Sequence, residues 1–567
     1  MADLVRRSLL RNAALLGTGL AAGGLLPAWA RSAATPAQRE LQTLSGPDIR
    51  LRIGHSRWTV DGREGHAVTI NGTVPGPLIR LKEGQTARIA VTNDLHEDTS
   101  IHWHGLILPF HMDGVPGVSF PGIRPGETFV YEFPVVQSGT YWYHSHSGLQ
   151  EPEGHYAPMI IEPKDPDPVA WDREHVILLS DFSFLHAHEI YRKLKAQPGG
   201  FNFQKQTVAG LLAGEDQPLG ERMEWAKMRM DPTDVSDVTG SVFTYLVNGH
   251  GPADNWTALF RPGERVRLRV INAASMTIFN VRIPGLPLTV VQADGLNVKP
   301  VTVDEFQITN AETYDVIVQP TEDRAFTLVA EAVDRSGMAR ATLAPRPGMT
   351  APVPPLRRRP VATMKDMGMD MGAHGGMDHD MDMSMLNPDN APQVKMGPGV
   401  QSISPMPMDR TGEPGQGLED VGHRVLVYAD LEALEANPDT RTPSRALELH
   451  LTGNMERFMW SFDGETFSEV TEPIPFRLNE RVRVTLVNDS MMSHPIHLHG
   501  HFFEVLVGPK GRHPRKHTVN VAPGGKVTFD LTADAPGDWA FHCHMIYHMH
   551  AGMFRVISVR PMAEGGR

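Results

Sequence analysis

From about residue 50 onward, apolar and polar residues alternate with a period of two, in short runs that end on Gly, Pro, Asn or Asp. HAVTING, TARIAVTN and ETFVYEFPV show it first, then YLVNGH, DEFQITN and YDVIVQP, then HFFEVLVG and KVTFDLTA. This pattern predicts half-buried strands joined by tight turns. One phrase recurs in each third of the chain, as EGQTARIAVTN, PGERVRLRVIN and LNERVRVTLVN. Recurrence at that spacing predicts three copies of one all-β unit, spanning 48–165, 170–345 and 425–562. Each is expected to be a Greek-key sandwich or barrel. Local helices are expected only near 185–195 and 428–437, and nothing suggests a parallel α/β sheet.

Between the second and third units, 346–424 reads as a linker. Within it, 364–385 runs MKDMGMDMGAHGGMDHDMDMSM, with eight methionines, two histidines and five aspartates. The methionines follow no helical stripe and lack β-branched neighbours, so a mobile loop is expected and packing does not account for them. Met455 and Met459, in NMERFMWSFDG, read as ordinary packing residues. The run KGRHPRK at 510–516 reads as a solvated loop.

Composition narrows the class. The 53 glycines and 46 prolines suit strands and turns, and a formal charge of -13 argues against a nucleic-acid binder. Residues 1–30 begin with Arg6, Arg7 and Arg11, continue through a Gly- and Ala-rich apolar stretch, and close on Ala28 and Ala30. That is the layout of a twin-arginine signal peptide, implying export to the periplasm. No later segment is apolar for long enough to span a membrane.

Histidines concentrate in four short stretches: IHWHG, YWYHSHSG, SHPIHLHGH and FHCHMIYHMHAGM. Two lie in the first unit and two in the third. Alternate residues of a strand share a face, so each His-x-His pair can converge on one cluster or straddle two ions. His102, His104, His144, His146, His497, His499, His542 and His544 could hold more than one ion, and neutral imidazole suits Cu, Zn, Fe or Ni. Cys543, the only cysteine, narrows the choice. With His548, Met553 and His494 it offers two imidazoles, a thiolate and a weak thioether, the donor set of a blue-copper electron-transfer site. Trp103 and Trp142 are expected to wall the histidine cluster.

Together these motifs resemble the multicopper oxidases, in particular the periplasmic copper-resistance protein A type, from the signal segment through three cupredoxin domains. The resemblance implies four copper ions. His494, Cys543, His548 and Met553 match the ligands of a type 1 copper, and His102 and His497 those of a type 2 copper. His104, His144, His146, His499, His542 and His544 match those of a type 3 pair. It also implies that one-electron donors are oxidised beside Cys543 and that O2 is reduced to water at the histidine cluster. Asp113 resembles the family's acidic residue beside the type 2 ion. Where some relatives carry a Glu among the third-unit ligands, this chain has Tyr547, so a second proton route is not evident. The middle unit has no ligand motif and is expected to hold the other two in register.

Thioethers are soft ligands that select Cu(I). Met364, Met367, Met369, Met371, His374, Met377, His379, Met381, Met383 and Met385 are therefore candidates for auxiliary copper binding. Cu(I) is the expected donor, with phenols as side substrates and periplasmic copper-handling proteins as candidate partners. A laccase-like oxidase of organic donors, a copper-sequestering protein and, more distantly, a two-domain nitrite reductase are the competing readings.

Overall fold

The structure is a computed structural model, and the residues described are 39–369 and 384–561. Among the described residues, six sheets form three successive two-sheet units. In the first, Arg63–Ile70, Asp48–Val60, Thr86–Asn93 and Thr128–Pro134 face a five-stranded sheet that contains His102–His104 and Gly139–His144. The second pairs a six-stranded sheet centred on Val266–Asn272 and Thr313–Val318 with a five-stranded one. The third sets a seven-stranded sheet against five strands that include His494–Leu498 and Gly537–Cys543.

The recurring phrase occupies the same place each time. Thr86–Asn93, Val266–Asn272 and Arg481–Asn488 each pair in parallel with the long opening strand of their unit and antiparallel with a later one. Its closing asparagine is fully buried in all three copies. Each side-chain amide donates to two carbonyls: Asn93 to Glu97 and Ile123, Asn272 to Thr277 and Ile308, Asn488 to Met492 and Val521. Each Oδ1 accepts the N–H two residues on, from Leu95, Ala274 and Ser490. A buried amide with all its partners fixes a loop closely. In the first and third units that loop launches the strands His102–His104 and His494–Leu498. The repeat thus builds the loops that aim the histidines.

Several expectations fail for tertiary reasons. The helix Ala187–Ala196 forms as predicted, but 428–437 yields only the 3-10 turn Tyr428–Asp430. Beyond it the chain is held against the middle unit by Lys299 N–H to Glu432 and Leu434 N–H to Asn297, with a bridge between Val298 and Ala433. Those bonds override local helix propensity. Two unforeseen helices, Val208–Leu212 and Leu219–Met228, lie in the middle region. The described parts of 346–424 pack on the body: Arg357 pairs with Glu305 and Glu331, and Met408–Asp409 joins the third unit's large sheet.

Lys516 is not a solvated loop residue. It is fully buried, with Nζ 3.0 Å from Asp294 and 3.1 Å from Glu312, both on the middle unit. Burial alone would lower its pKa, but Asp294 and then Glu312 outweigh that and raise it, keeping the ammonium charged. Lys516→Met should destabilise the protein by about 3–5 kcal/mol, because it strands two buried carboxylates. Thermal unfolding of the metal-free protein checks this; an unchanged midpoint would deny the pair any role in joining the units.

Candidate metal centre

Strand alternation separates two sites on one strand. In the pairing of His494–Leu498 with Gly537–Cys543, His497 lies opposite His542 and Ile496 opposite Cys543. His497 and His542 therefore share one face, while Cys543 points to the other, the side of His494.

On that side Cys543 Sγ lies 3.6 Å from His494 Nδ1 and 3.7 Å from His548 Nδ1, and the two nitrogens are 3.2 Å apart. Ligands about 2.0–2.3 Å from a common centre lie roughly 3.2–3.8 Å apart, so the three atoms fit one ion. Both outward nitrogens are held. His494 Nε2–H donates to the Ser490 hydroxyl (2.8 Å) and His548 Nε2–H to Asp237 (2.6 Å), which fixes Nδ1 inward on each ring. Met553 is buried beside them; its N–H donates to the His548 carbonyl and its carbonyl accepts from Cys543 N–H. Burial pushes the Cys543 thiol well above its usual value and lowers His548 to about 3. The imidazole is thus neutral, as metal binding requires, and the thiolate forms only with a cation beside it.

The opposite face gathers the eight other imidazoles, seven of them fully buried. His146, His499 and His542 converge, with Nε2 of His542 3.4 Å from His146 and 3.0 Å from His499. His104, His144 and His544 form a second triplet, with ring centroids 4.9–5.6 Å apart. His102 and His497 complete the set at 5.9 Å. Their backs are anchored in the same manner: His102 donates to the Asp113 carbonyl, His497 to the His517 carbonyl and His542 to the Cys543 carbonyl. Nε2 of His102, His144 and His497, Nδ1 of His104 and both nitrogens of His544 have no hydrogen-bond partner among the described residues. Burial, and then mostly neighbouring imidazoles, push His104, His144, His146, His497, His499 and His544 far below the usual histidine range. Buried, neutral and orphaned nitrogens aimed at one another are what a cluster of borderline cations requires.

Asp113 is buried against this cluster. Its Oδ2 accepts from His499 Nδ1 (2.9 Å), and its Oδ1 lies 3.3 Å from His102 Nδ1. The following Gly114 has φ 83°, and a Cβ there would meet the Ile101 carbonyl at 1.8 Å, so only glycine allows the carboxylate this close.

Three contacts were not foreseen. Glu151 is buried with Oε2 2.6 Å from His144 Nδ1, a carboxylate at the cluster from the first unit. Tyr547 packs on Tyr191 instead (6.3 Å). His517 stands 4.8 Å from His104 and 5.3 Å from His497, a further buried imidazole whose single histidine in the sequence gave no signal. Asp237, 311 residues from His548, comes from the middle region. That region is therefore more than a spacer between the outer units.

Trp142 stacks on His144 at 4.3 Å and walls the cluster. Trp103 does not: its pairing opposite Tyr143 turns it into the first unit's core, against Tyr131 and Phe133. The methionine segment also differs from expectation. Met364, Met367, Met369 and Met385 pack with Met228, Met230, Met455 and Met491 around Trp225. Met364–Met367 is a capped 3-10 turn, not loose chain. Met371, His374, Met377, His379, Met381 and Met383 lie outside the described residues, as does the signal segment. Among the described residues no helix is long and apolar enough to cross a membrane.

Multicopper oxidase family models match residues 52–166, 174–347 and 440–563. The chain is 46% identical to copper resistance protein A of Escherichia coli, over 98% of this chain and 99% of that one. A copper resistance protein A homolog of Pseudomonas syringae pv. tomato is 47% identical over 95% and 98%. Among solved structures, Fet3p, a multicopper oxidase that functions in iron import, superposes with TM-score 0.64 at 20% identity, covering 91% of this chain and 90% of its own. The laccase of Botrytis aclada gives 0.64 at 22% identity over 93% and 88%, a likeness of fold.

Proposed function

The chain belongs to the multicopper oxidases, of the periplasmic copper-resistance protein A type, and on that premise we propose that Cu(I) is its electron donor. Membership makes it a copper-dependent oxidase; the donor and the assignment of ligands are what is proposed. His494, Cys543, His548 and Met553 would hold one copper of type 1, and His102 and His497 one of type 2. The triplets His104/His144/His544 and His146/His499/His542 would hold the type 3 pair. Bound copper would supply the one-electron steps, taking electrons from the donor on the Cys543 face and giving them to O2 on the histidine face. In sum, four Cu(I), one O2 and four protons become four Cu(II) and two waters.

The residues divide this work by position. Cys543 is joined to His542 and His544 through its own peptide bonds, so donor and acceptor faces communicate along one strand. Asp237 and Ser490 fix the two imidazoles beside the thiol. Asp113 and Glu151 stand where protons must arrive, each on ring nitrogens of the cluster.

The observation that carries Cu(I) as donor is the methionine cluster. It includes Met491, three residues before His494 in the loop braced by Asn488, so soft thioethers adjoin the Cys543 side. The partly buried Met364, Met369 and Met385 can be replaced by leucine with little change in volume. The triple variant should lose about tenfold or more in kcat/KM for Cu(I), in the range of an outer partner's loss, with the rate on a phenolic donor unchanged. An equal fall with both donors, or no fall with either, would remove the thioethers from donor recognition and favour an organic donor. Cu(I) uptake without O2 consumption would favour sequestration.

A further inference from the structure

Away from both metal faces, three histidines from the first two units meet over one carboxylate. His55 and His66 lie on adjacent antiparallel strands, in a register that pairs His55 with Val68 and Arg57 with His66. They therefore share a face two positions apart, and their rings are 4.7 Å from each other. His186, immediately before the helix Ala187–Ala196, brings its ring to 5.2 Å from His66. Glu153 lies between them, with Oε2 3.9 Å from His66 Nδ1 and Oε1 3.4 Å from His186 Nδ1.

We propose that His55, His66, His186 and Glu153 form a surface site for a borderline divalent cation, Cu(II) or Zn(II), distinct from the oxidase centre. Two ligands about 2.0 Å from a tetrahedral ion are roughly 3.3 Å apart, close to the 3.9 and 3.4 Å that separate Glu153 from His66 and His186. Imidazole with carboxylate is a harder donor set than the thioethers near Trp225, and it suits the oxidised ion over Cu(I). Glu153 is held for the task. Its Oε1 accepts the Ala187 N–H at 3.1 Å, so the carboxylate caps the helix and offsets the positive end that would otherwise repel a cation. The ligands are within reach of solvent, with side chains of His186 and His66 59% and 40% exposed.

A bound ion would tie the first unit to the helix that follows it. That helix is about 15 Å long and touches the third unit from its first turn onward, where His188 lies 6.5 Å from the His550 ring. Farther along, Tyr191 lies 4.7 Å from the His550 ring and Lys195 Nζ donates to the Phe458 carbonyl. The site therefore clamps the junction between units without sharing a ligand with the catalytic centre.

The test is a Zn(II) titration by calorimetry on full-length, copper-loaded and desalted protein. Wild type should bind one zinc ion more than H66A/H186A, and E153Q should weaken that same event at least tenfold. Blue absorption and zinc-free O2 uptake, equal in all three, would show that the variants are folded and that the oxidase centre is intact. Equal zinc stoichiometry and affinity in wild type and H66A/H186A would overturn the proposal, whatever the donor of the oxidase proves to be.

Discussion

Cys543→Ser should give a folded protein with no blue absorption and almost no Cu(I)-driven O2 uptake. The side chains are nearly isosteric, and the residue is fully buried, with Trp460 packed on the rings of His494 and His548 at 5.1 and 4.1 Å. The cavity cost is therefore small and the loss is chemical. A serine hydroxyl remains protonated where a thiolate would form, which leaves His494 and His548 with one soft anionic donor fewer. The fall in activity should exceed about 100-fold, the upper end of what losing a mere outer partner costs. Absorption and oxygen-electrode traces on the same preparation check both parts. Retained activity would mean that electrons do not pass by this strand.

Asp113→Asn should act on the other face. The carboxylate takes a proton donor from His499 and lies close to His102, whereas an amide presents only one acceptor and turns an N–H toward the second ring. We expect kcat to fall by about 10–100-fold, with KM for Cu(I) and the blue absorption unchanged, because the Cys543 face is untouched. Steady-state kinetics of the variant separate this from simple misfolding. Unchanged kcat would reduce Asp113 to a turn residue preceding Gly114.

Much of this candidate centre was legible because its candidate ligands are local in sequence. A His-x-His pair on a strand, or a cysteine flanked by histidines, declares its geometry through the period of two. The three-fold phrase also carried its consequence, since the asparagine that ends it braces each loop. What was hidden depends on the fold alone. Glu151 sits in an unremarkable GLQEPEG turn, and Asp237 reaches His548 from a region without motifs. Lys516 looks solvated within KGRHPRK until Asp294 and Glu312 close around it. Trp103 and Trp142 carried the same expectation, yet pairing register sends one into the core and the other onto His144. Composition misled in the methionine segment, where a biased stretch looked unpackable and its described thioethers nonetheless pack around Trp225.

The most direct measurement is O2 uptake by the copper-loaded protein supplied with Cu(I), corrected for uncatalysed oxidation and followed together with peroxide. Saturable uptake at one O2 per four Cu(I) is expected, with no accumulated peroxide and loss of the signal in Cys543→Ser. Uptake no faster than background, or peroxide as the product, would rule out Cu(I) oxidation coupled to four-electron reduction of O2.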